Sequence, residues 1–246
     1  MSLFLKKSNI VTSSSLSISG SKSESNRLLI LKALYPNIDI VNISSSDDTN
    51  VLIEALNSNS ATIDIHHAGT AMRFLTAFFS TLKSKNVILT GSERMQNRPI
   101  EILVNALRSI GADIEYLKEI GYAPIKIKGK ELNLSKVSLD SNVSSQYVSA
   151  LFLIGSSLKN GLEINLKGKI TSKSYLLMTL SLLNKIDIKY TFNGNFIKSS
   201  FCHFIFTNII FFYLFIQTYP SLKEMILEYL SGPYFIIHVL IRIFAD

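Results

Sequence analysis

The stretch "SGSKSESNRLLILKAL" (residues 19–34) sets Lys22, Ser23, Ser25 and Arg27 at the mouth of an apolar periodic run. Leu28, Leu29, Leu31 and Leu34 recur at helical spacing, which predicts a helix over 23–35 with one face in a core. A serine at such a start is an ordinary N-cap, because its oxygen accepts an orphan backbone N–H. The cations are not ordinary there. A base at a helix N-terminus opposes the positive end of the macrodipole, at a cost of about 0.3–1 kcal/mol. The arrangement becomes favourable when an anion sits among the free N–H groups and the base.

The same grammar recurs along the first 200 residues. Helices open with "SSDDTN" (45–50), "HHAGTAMR" (66–73), "NRPIEI" (97–102), "NVSSQYV" (142–148) and "ITSKSY" (170–175). Arg73, Arg94, Arg98 and Lys173 lie at or within one turn of these starts. Between the helices stand short β-like runs, so the chain reads as an α/β protein. The order strand, helix, strand, helix and then one or two strands repeats about every 60 residues. The first copy is "SLSISG", helix 23–35, "IDIVNIS", helix 48–57 and "ATIDIH". Helix 70–83, "NVILTG", helix 99–110, "DIEYL" and "APIKIKG" make the second. The third is "KVSLD", helix 144–158, "LEINLKG", helix 173–184, "DIKYTF" and "FIK".

Charge narrows the partners. The formal net charge is +7, and residues 201–246 hold two bases (Lys223, Arg242) against three acids (Glu224, Glu228, Asp246), so the positive balance belongs to residues 1–200. The bases are scattered, without the basic and aromatic interleaving of a single-strand binder. Small anions fit this pattern, and nucleic acid does not. The single cysteine, Cys202, leaves no internal disulfide, which suits a reducing compartment. "MSLFLKKSNIVTSSS" at the start has no apolar run of signal-peptide length after its charges, so a cytoplasmic protein is expected.

Five of these motifs, "SKSESNR" (21–27), "HHAGTAMRF" (66–74), "RMQNRPI" (94–100), "VSSQYVSAL" (143–151) and "SKSY" (172–175), occur in the order and approximate spacing of the 5-enolpyruvylshikimate-3-phosphate synthase family, also called 3-phosphoshikimate 1-carboxyvinyltransferase. The resemblance covers residues 1–199. It implies an inside-out α/β fold of three βαβαββ units, with helices packed within, sheets outside and helix N-termini aimed at a cleft between two domains. It also implies an enzyme of aromatic amino acid and chorismate biosynthesis. The enolpyruvyl group of phosphoenolpyruvate passes to the 5-hydroxyl of shikimate 3-phosphate, and phosphate leaves. No metal or organic cofactor is implied, and the expected form is a monomer free of membrane.

Carried over residue by residue, the resemblance makes Lys22 the catalytic residue, contacting both substrates. Ser23, Arg27, Ser144, Ser145, Gln146, Ser172 and Tyr175 would hold shikimate 3-phosphate. Gly69, Arg98 and Gln146 would hold phosphoenolpyruvate. Ser23 and Arg27 stand four apart and so share a helical face. Plainer readings stand beside these: Ser144 and Ser172 also fit N-caps, Gly69 a turn, and Pro99 a normal first-turn proline. Arg73, Arg94 and Lys173 fit solvated or acid-paired cations. Adjacent His66 and His67 at a strand end would face opposite ways and share no ligand. The family commonly has asparagine at position 67, and His67 is given no role.

The related transferase acting on a UDP-amino sugar is the nearest rival; it commonly carries a loop cysteine in the second motif region, and "TGSERMQNR" (90–98) has none. The family's second domain, with an acid–base carboxylate and further cations, is expected to be largely missing, leaving a partial copy that binds but does not turn over. Residues 200–246 begin with the uncharged "FCHFIFTNIIFFYLFI" (201–216) and break with the preceding style. They are expected to be a truncation or frameshift product; a membrane anchor and a docking element are the alternatives, and the run is shorter than the ~20 residues of a helical span.

Overall fold

The computed structural model describes residues 15, 17–140, 144–170 and 172–199. The expectations about Cys202 and residues 200–246 lie outside them. Helices are α1 (Lys22–Leu34), α2 (Asp47–Asn57), α3 (Gly69–Thr81), α4 (Glu93–Gln96), α5 (Glu101–Ser109), α6 (Ser145–Gly155) and α7 (Lys173–Lys185). Strands are β1 (Thr62–Asp64), β2 (Asn86–Thr90), β3 (Asp113–Tyr116), β4 (Ile125–Lys128), β5 (Lys136–Asp140), β6 (Leu162–Lys167), β7 (Tyr190–Asn193) and β8 (Phe196–Ser199). No helix among the described residues is long and apolar enough to cross a membrane.

Two sheets share one topology. One has strand order β1-β2-β4-β3 and the other β5-β6-β8-β7. In each the first pair is parallel, across α3 or α6, and the remaining pairs are antiparallel. A parallel pair needs a crossover of this length, whereas β3–β4 and β7–β8 close through shorter connections. The strands alternate: Val87 and Leu89 of β2, and Val137 and Leu139 of β5, are buried between more exposed neighbours. Each sheet therefore has one apolar face turned inward.

The helices fill the interior. Eleven of the 13 residues of α3 and nine of the 11 of α6 are buried. A helix apolar nearly all round belongs at the centre of a core rather than on its surface. Phe74, Leu75 and Phe79 of α3 and Leu151, Phe152 and Ile154 of α6 are almost wholly excluded from water. Helices inside and sheets outside is the inside-out arrangement, and it brings helix ends rather than strand ends to the site.

Three sequence expectations are corrected. "ATIDIH" does not close the first repeat; β1 pairs with β2 and opens the next sheet. "SLSISG" and "IDIVNIS" form no strand among the described residues. Asn42 lies at φ 55° in the second of these, which breaks the extended path, and its amide reaches the Ile18 carbonyl at 3.4 Å in place of a ladder bond. The two segments nevertheless touch: a Cβ on Gly20 would stand 1.8 Å from the Asn42 carbonyl oxygen. A short helix, α4, also appears where none was expected, started by Ser92, whose side chain accepts from the Met95 N–H.

Candidate functional site

Four helix starts line one cleft of about 250 Å³. Its walls are Lys22, Ser23 and Arg27 from α1, Thr70 from α3, Ser144, Ser145 and Gln146 at the start of α6, and Tyr175 from α7. Free N–H groups of a first helical turn have no intrahelical acceptor, so the four ends together offer a field of donors. First-turn acids separate these helices from the others. None occurs in α3, α6 or α7, whereas α2 carries Asp47 and Asp48, and α5 carries Glu101. The exception, Glu24 of α1, lines a different groove with Ser21, Leu28 and Lys185. Acids at N-termini stabilise by about 0.3–1 kcal/mol. Three of the four cleft helices forgo that stabilisation and leave their positive ends without an acid of their own.

Arg27 is the floor of the cleft, 2% exposed. Its Nε donates to Thr179 Oγ1 at 2.7 Å, Nη1 to the Ser23 carbonyl at 2.7 Å and Nη2 to Ser149 Oγ at 3.0 Å. Ser149 and Thr179 touch each other at 3.0 Å, and Thr179 donates to the Tyr175 carbonyl. A guanidinium has five N–H donors, so these bonds hold it rigidly and leave two for an incoming anion. The Phe74 and Tyr175 rings lie 5.4 and 5.9 Å from its Cζ. Among the described residues it forms no ion pair. Burial pulls its pKa down to about 10, against weaker opposing help from Tyr175 and Glu24. It remains a cation at neutral pH.

Lys22 is half exposed and pairs with Asp48 at 3.5 Å. Gln146 donates to Thr70 Oγ1 at 3.2 Å, joining α6 to α3. Ser144 caps α6, its hydroxyl accepting from the Gln146 N–H at 3.3 Å. Ser172 differs: it sits at φ 54° at the start of α7, and its side chain makes no cap bond. For Ser172 the N-cap reading is thus corrected.

Gly69 and Arg98 do not line the cleft but adjoin it through Thr70. Arg98 Nη1 lies 2.2 Å from where a Gly69 Cβ would be, with Cζ at 2.8 Å, so the guanidinium rests on the bare backbone at the start of α3. Its Nη1 also reaches Met95 Sδ at 3.9 Å.

Arg73 departs from expectation, being neither solvated nor, among the described residues, paired with an acid. It is 3% exposed and donates to the Gly69 and Pro99 carbonyls, each at 3.1 Å. Lys173 lies over the Phe192 ring at 5.9 Å, and Arg94 is exposed. His66 and His67 lie in the turn after β1 rather than on it, both exposed. His66 takes φ 49°, its N–H bound to Asp64 Oδ1 at 2.7 Å. No group of three His, Cys, Asp or Glu that could hold a metal occurs among the described residues.

Sequence reasoning missed Asp48, Thr70, Ser149 and Thr179. Asp48 was hidden in "SSDDTN", which reads as a plain capped start. Ser149 and Thr179 lie one turn after Ser145 and Tyr175 on buried faces, and a hydroxyl at such a position is a signal for a buried partner.

Comparison with known proteins bears on descent and on fold. A sequence profile of the family described as EPSP synthase (3-phosphoshikimate 1-carboxyvinyltransferase) matches residues 53–196. The 3-phosphoshikimate 1-carboxyvinyltransferase of Bacteroides fragilis (strain YCH46) is 54% identical over 164 residues, covering 66% of this chain and 40% of that protein. The enzyme of the same name from Haemophilus influenzae (strain PittGG) is 36% identical over 204 residues, covering 71% and 47%. The chain thus spans less than half the length of these relatives. The solved EPSP synthase from Acinetobacter baumannii superposes with a TM-score of 0.63 at 20% identity, over 76% of this chain and 47% of that one. That likeness bears on the fold, whereas the profile, spanning more than half of the chain and including the Gly69, Arg98 and Ser144–Gln146 motifs, bears on descent. By descent, then, this chain belongs to the EPSP synthase (3-phosphoshikimate 1-carboxyvinyltransferase) family.

Proposed function

We propose that the cleft binds shikimate 3-phosphate and, beside it, phosphoenolpyruvate, as the binding half of an enolpyruvyl transfer site. The observation that carries this reading is the convergence of four helix starts, three of them free of first-turn acids, on a buried guanidinium that forms no ion pair among the described residues. An arginine buried without a counter-ion is costly, and the missing anion is supplied by the ligand. Ser144, Ser145 and Ser23 would take the shikimate phosphate among the N–H groups of α6 and α1. Arg27 would take the ring carboxylate with its two spare donors, and Ser172 and Tyr175 would close that side. Arg98 would grip the phosphoenolpyruvate phosphate in a planar fork, close to the Gly69 backbone. Gln146 would stand between the two anions.

In the transfer, a proton adds to the methylene carbon of phosphoenolpyruvate while the shikimate 5-hydroxyl oxygen bonds to the adjacent carbon and loses its proton. The tetrahedral ketal then expels phosphate and returns a methyl proton, which restores the double bond. Lys22 would stabilise the developing charge with its ammonium and exchange a proton with the hydroxyl. No carboxylate lines the cleft among the described residues. Proton transfer by a placed acid or base is worth about 10²–10⁴-fold, so this chain alone is expected to bind far better than it turns over.

Calorimetric titration of the 246-residue chain with shikimate 3-phosphate, with unphosphorylated shikimate as control, tests the binding. Saturable heat with the phosphorylated ligand and at least ten-fold weaker binding without the phosphate support the reading; no heat with either contradicts it. Release of inorganic phosphate at family-like rates from both substrates would contradict the expected lack of turnover.

A further inference from the structure

Arg73 is buried and charged, yet it lies outside the cleft and no ligand role accounts for it. Its Nη1 donates to the Gly69 carbonyl one turn back on α3, and its Nη2 to the Pro99 carbonyl, 26 residues away, each at 3.1 Å. Nε is buried and has no partner, and no acid offsets the charge among the described residues. A guanidinium kept in this state is being used for its shape: a planar fork can span two carbonyls that a lysine ammonium cannot hold at the same angle. Tyr147 converges on the same place. Its hydroxyl donates to the Pro99 carbonyl at 2.7 Å, and its ring lies 5.9 Å from Arg73 Cζ. The peptide that follows Pro99 is therefore clamped twice, from α3 and from α6. The start of α3 and the Arg98–Pro99 turn are thereby joined at one atom group, and the Arg98 guanidinium rests in the gap beside Gly69.

We propose that Arg73 is a positioning residue that holds the Arg98 guanidinium over Gly69 by fixing the Pro99 and Gly69 carbonyls. The part concerning phosphoenolpyruvate rests on the function proposed above; the part concerning Arg98 geometry does not. Burial depresses the Arg73 pKa, the Tyr147 hydroxyl opposes this, and the like charge of Arg98 depresses it further. Two cations held this close without an acid favour an anion at Arg98.

The test uses the full chain with 15N-labelled arginine. The Arg98 Nε–H resonance, assigned through Arg98→Lys, is followed by heteronuclear NOE in the wild type, Arg73→Met and Arg73→Lys. Arg27, held by Thr179, is the internal control for the fold, and exposed Arg94 marks a mobile side chain. The expected result is an Arg98 NOE that falls to the Arg94 level in the variants while Arg27 is unchanged. Arg98 retaining its wild-type NOE in either folded variant overturns the proposal. Should Arg73→Met disturb Arg27, Arg73→Lys, which keeps the charge, decides alone. Phosphoenolpyruvate affinity, measured with shikimate 3-phosphate present, is expected to fall about ten-fold in Arg73→Lys. No further loss is expected when that change is added to Arg98→Ala, and additive losses count against the proposal. A wild-type chain that binds neither anion contradicts the proposed function and leaves the NOE readout to decide on Arg73.

Discussion

At residue scale, Gly69 and Arg27 make opposite demands on the chain. Gly69 has an ordinary helical backbone, so alanine fits its conformation, and an added methyl improves helix propensity by up to ~1 kcal/mol. The same methyl would stand 2.2 Å from Arg98 Nη1 and must displace that side chain. Gly69→Ala is therefore expected to leave thermal stability equal or higher, while weakening phosphoenolpyruvate at least ten-fold and sparing shikimate 3-phosphate. Equal weakening of both ligands in paired titrations would contradict the local account. Arg27→Lys strips three hydrogen bonds from a buried network and leaves Thr179 and Ser149 without their donor. A buried polar group left unmatched costs about 1–3 kcal/mol. Denaturant melts of Arg27→Lys should show a loss of that order, together with loss of shikimate 3-phosphate binding.

At the scale of the elements, the starts of α6 and α7 offer a discriminating pair. Ser144 caps α6, so Ser144→Ala should lower stability by about 1 kcal/mol as well as affinity. Ser172 makes no cap bond and sits in the left-handed region, which costs a non-glycine residue roughly 1–2 kcal/mol. Ser172→Gly relieves that cost against the greater chain entropy of glycine. It should leave stability unchanged or up to ~1 kcal/mol higher while still losing affinity. A Ser172→Gly protein that binds as tightly as wild type would remove Ser172 from the site. The same two elements show what was legible beforehand. The α6 and α7 segments, the β2, β5 and β6 strands and the serine-rich helix mouths follow from periodicity and capping, which are local. The positive φ at Ser172, the kink at Asn42 and the transfer of β1 to the next sheet depend on partners far away in sequence, and no local pattern encodes them. Arg73 was misjudged for the same reason: a cation one turn into a helix reads as solvated until the turn at Pro99 is seen to cover it.

Across the described residues, acid-free helix starts and buried guanidinium groups make the ligand-free fold carry uncompensated positive charge, which an anion would complete. A ligand bound only by the folded state adds about 2.7 kcal/mol at 100 times its Kd. Shikimate 3-phosphate should therefore raise the melting temperature in a concentration-dependent manner, and shikimate much less. The pH response follows from the charges. With a folded pKa near 10, Arg27 is charged throughout the neutral range, and its burial penalty is fully present below that value and relieved only as pH rises through it. Below pH 7 the variable group is instead the ligand phosphate, whose second ionisation lies near ~6. Affinity should rise from pH 5 to 7 and then level off; a fall over that range would mean that the phosphate is not the recognised group. The most direct measurement is a crystal structure of the chain with shikimate 3-phosphate. The account predicts the phosphate within about 3 Å of the Ser144 and Ser145 donors and the Ser23 hydroxyl, with the carboxylate on Arg27. A ligand seated elsewhere, such as the groove lined by Ile18, Gly20 and Asn42, would contradict it.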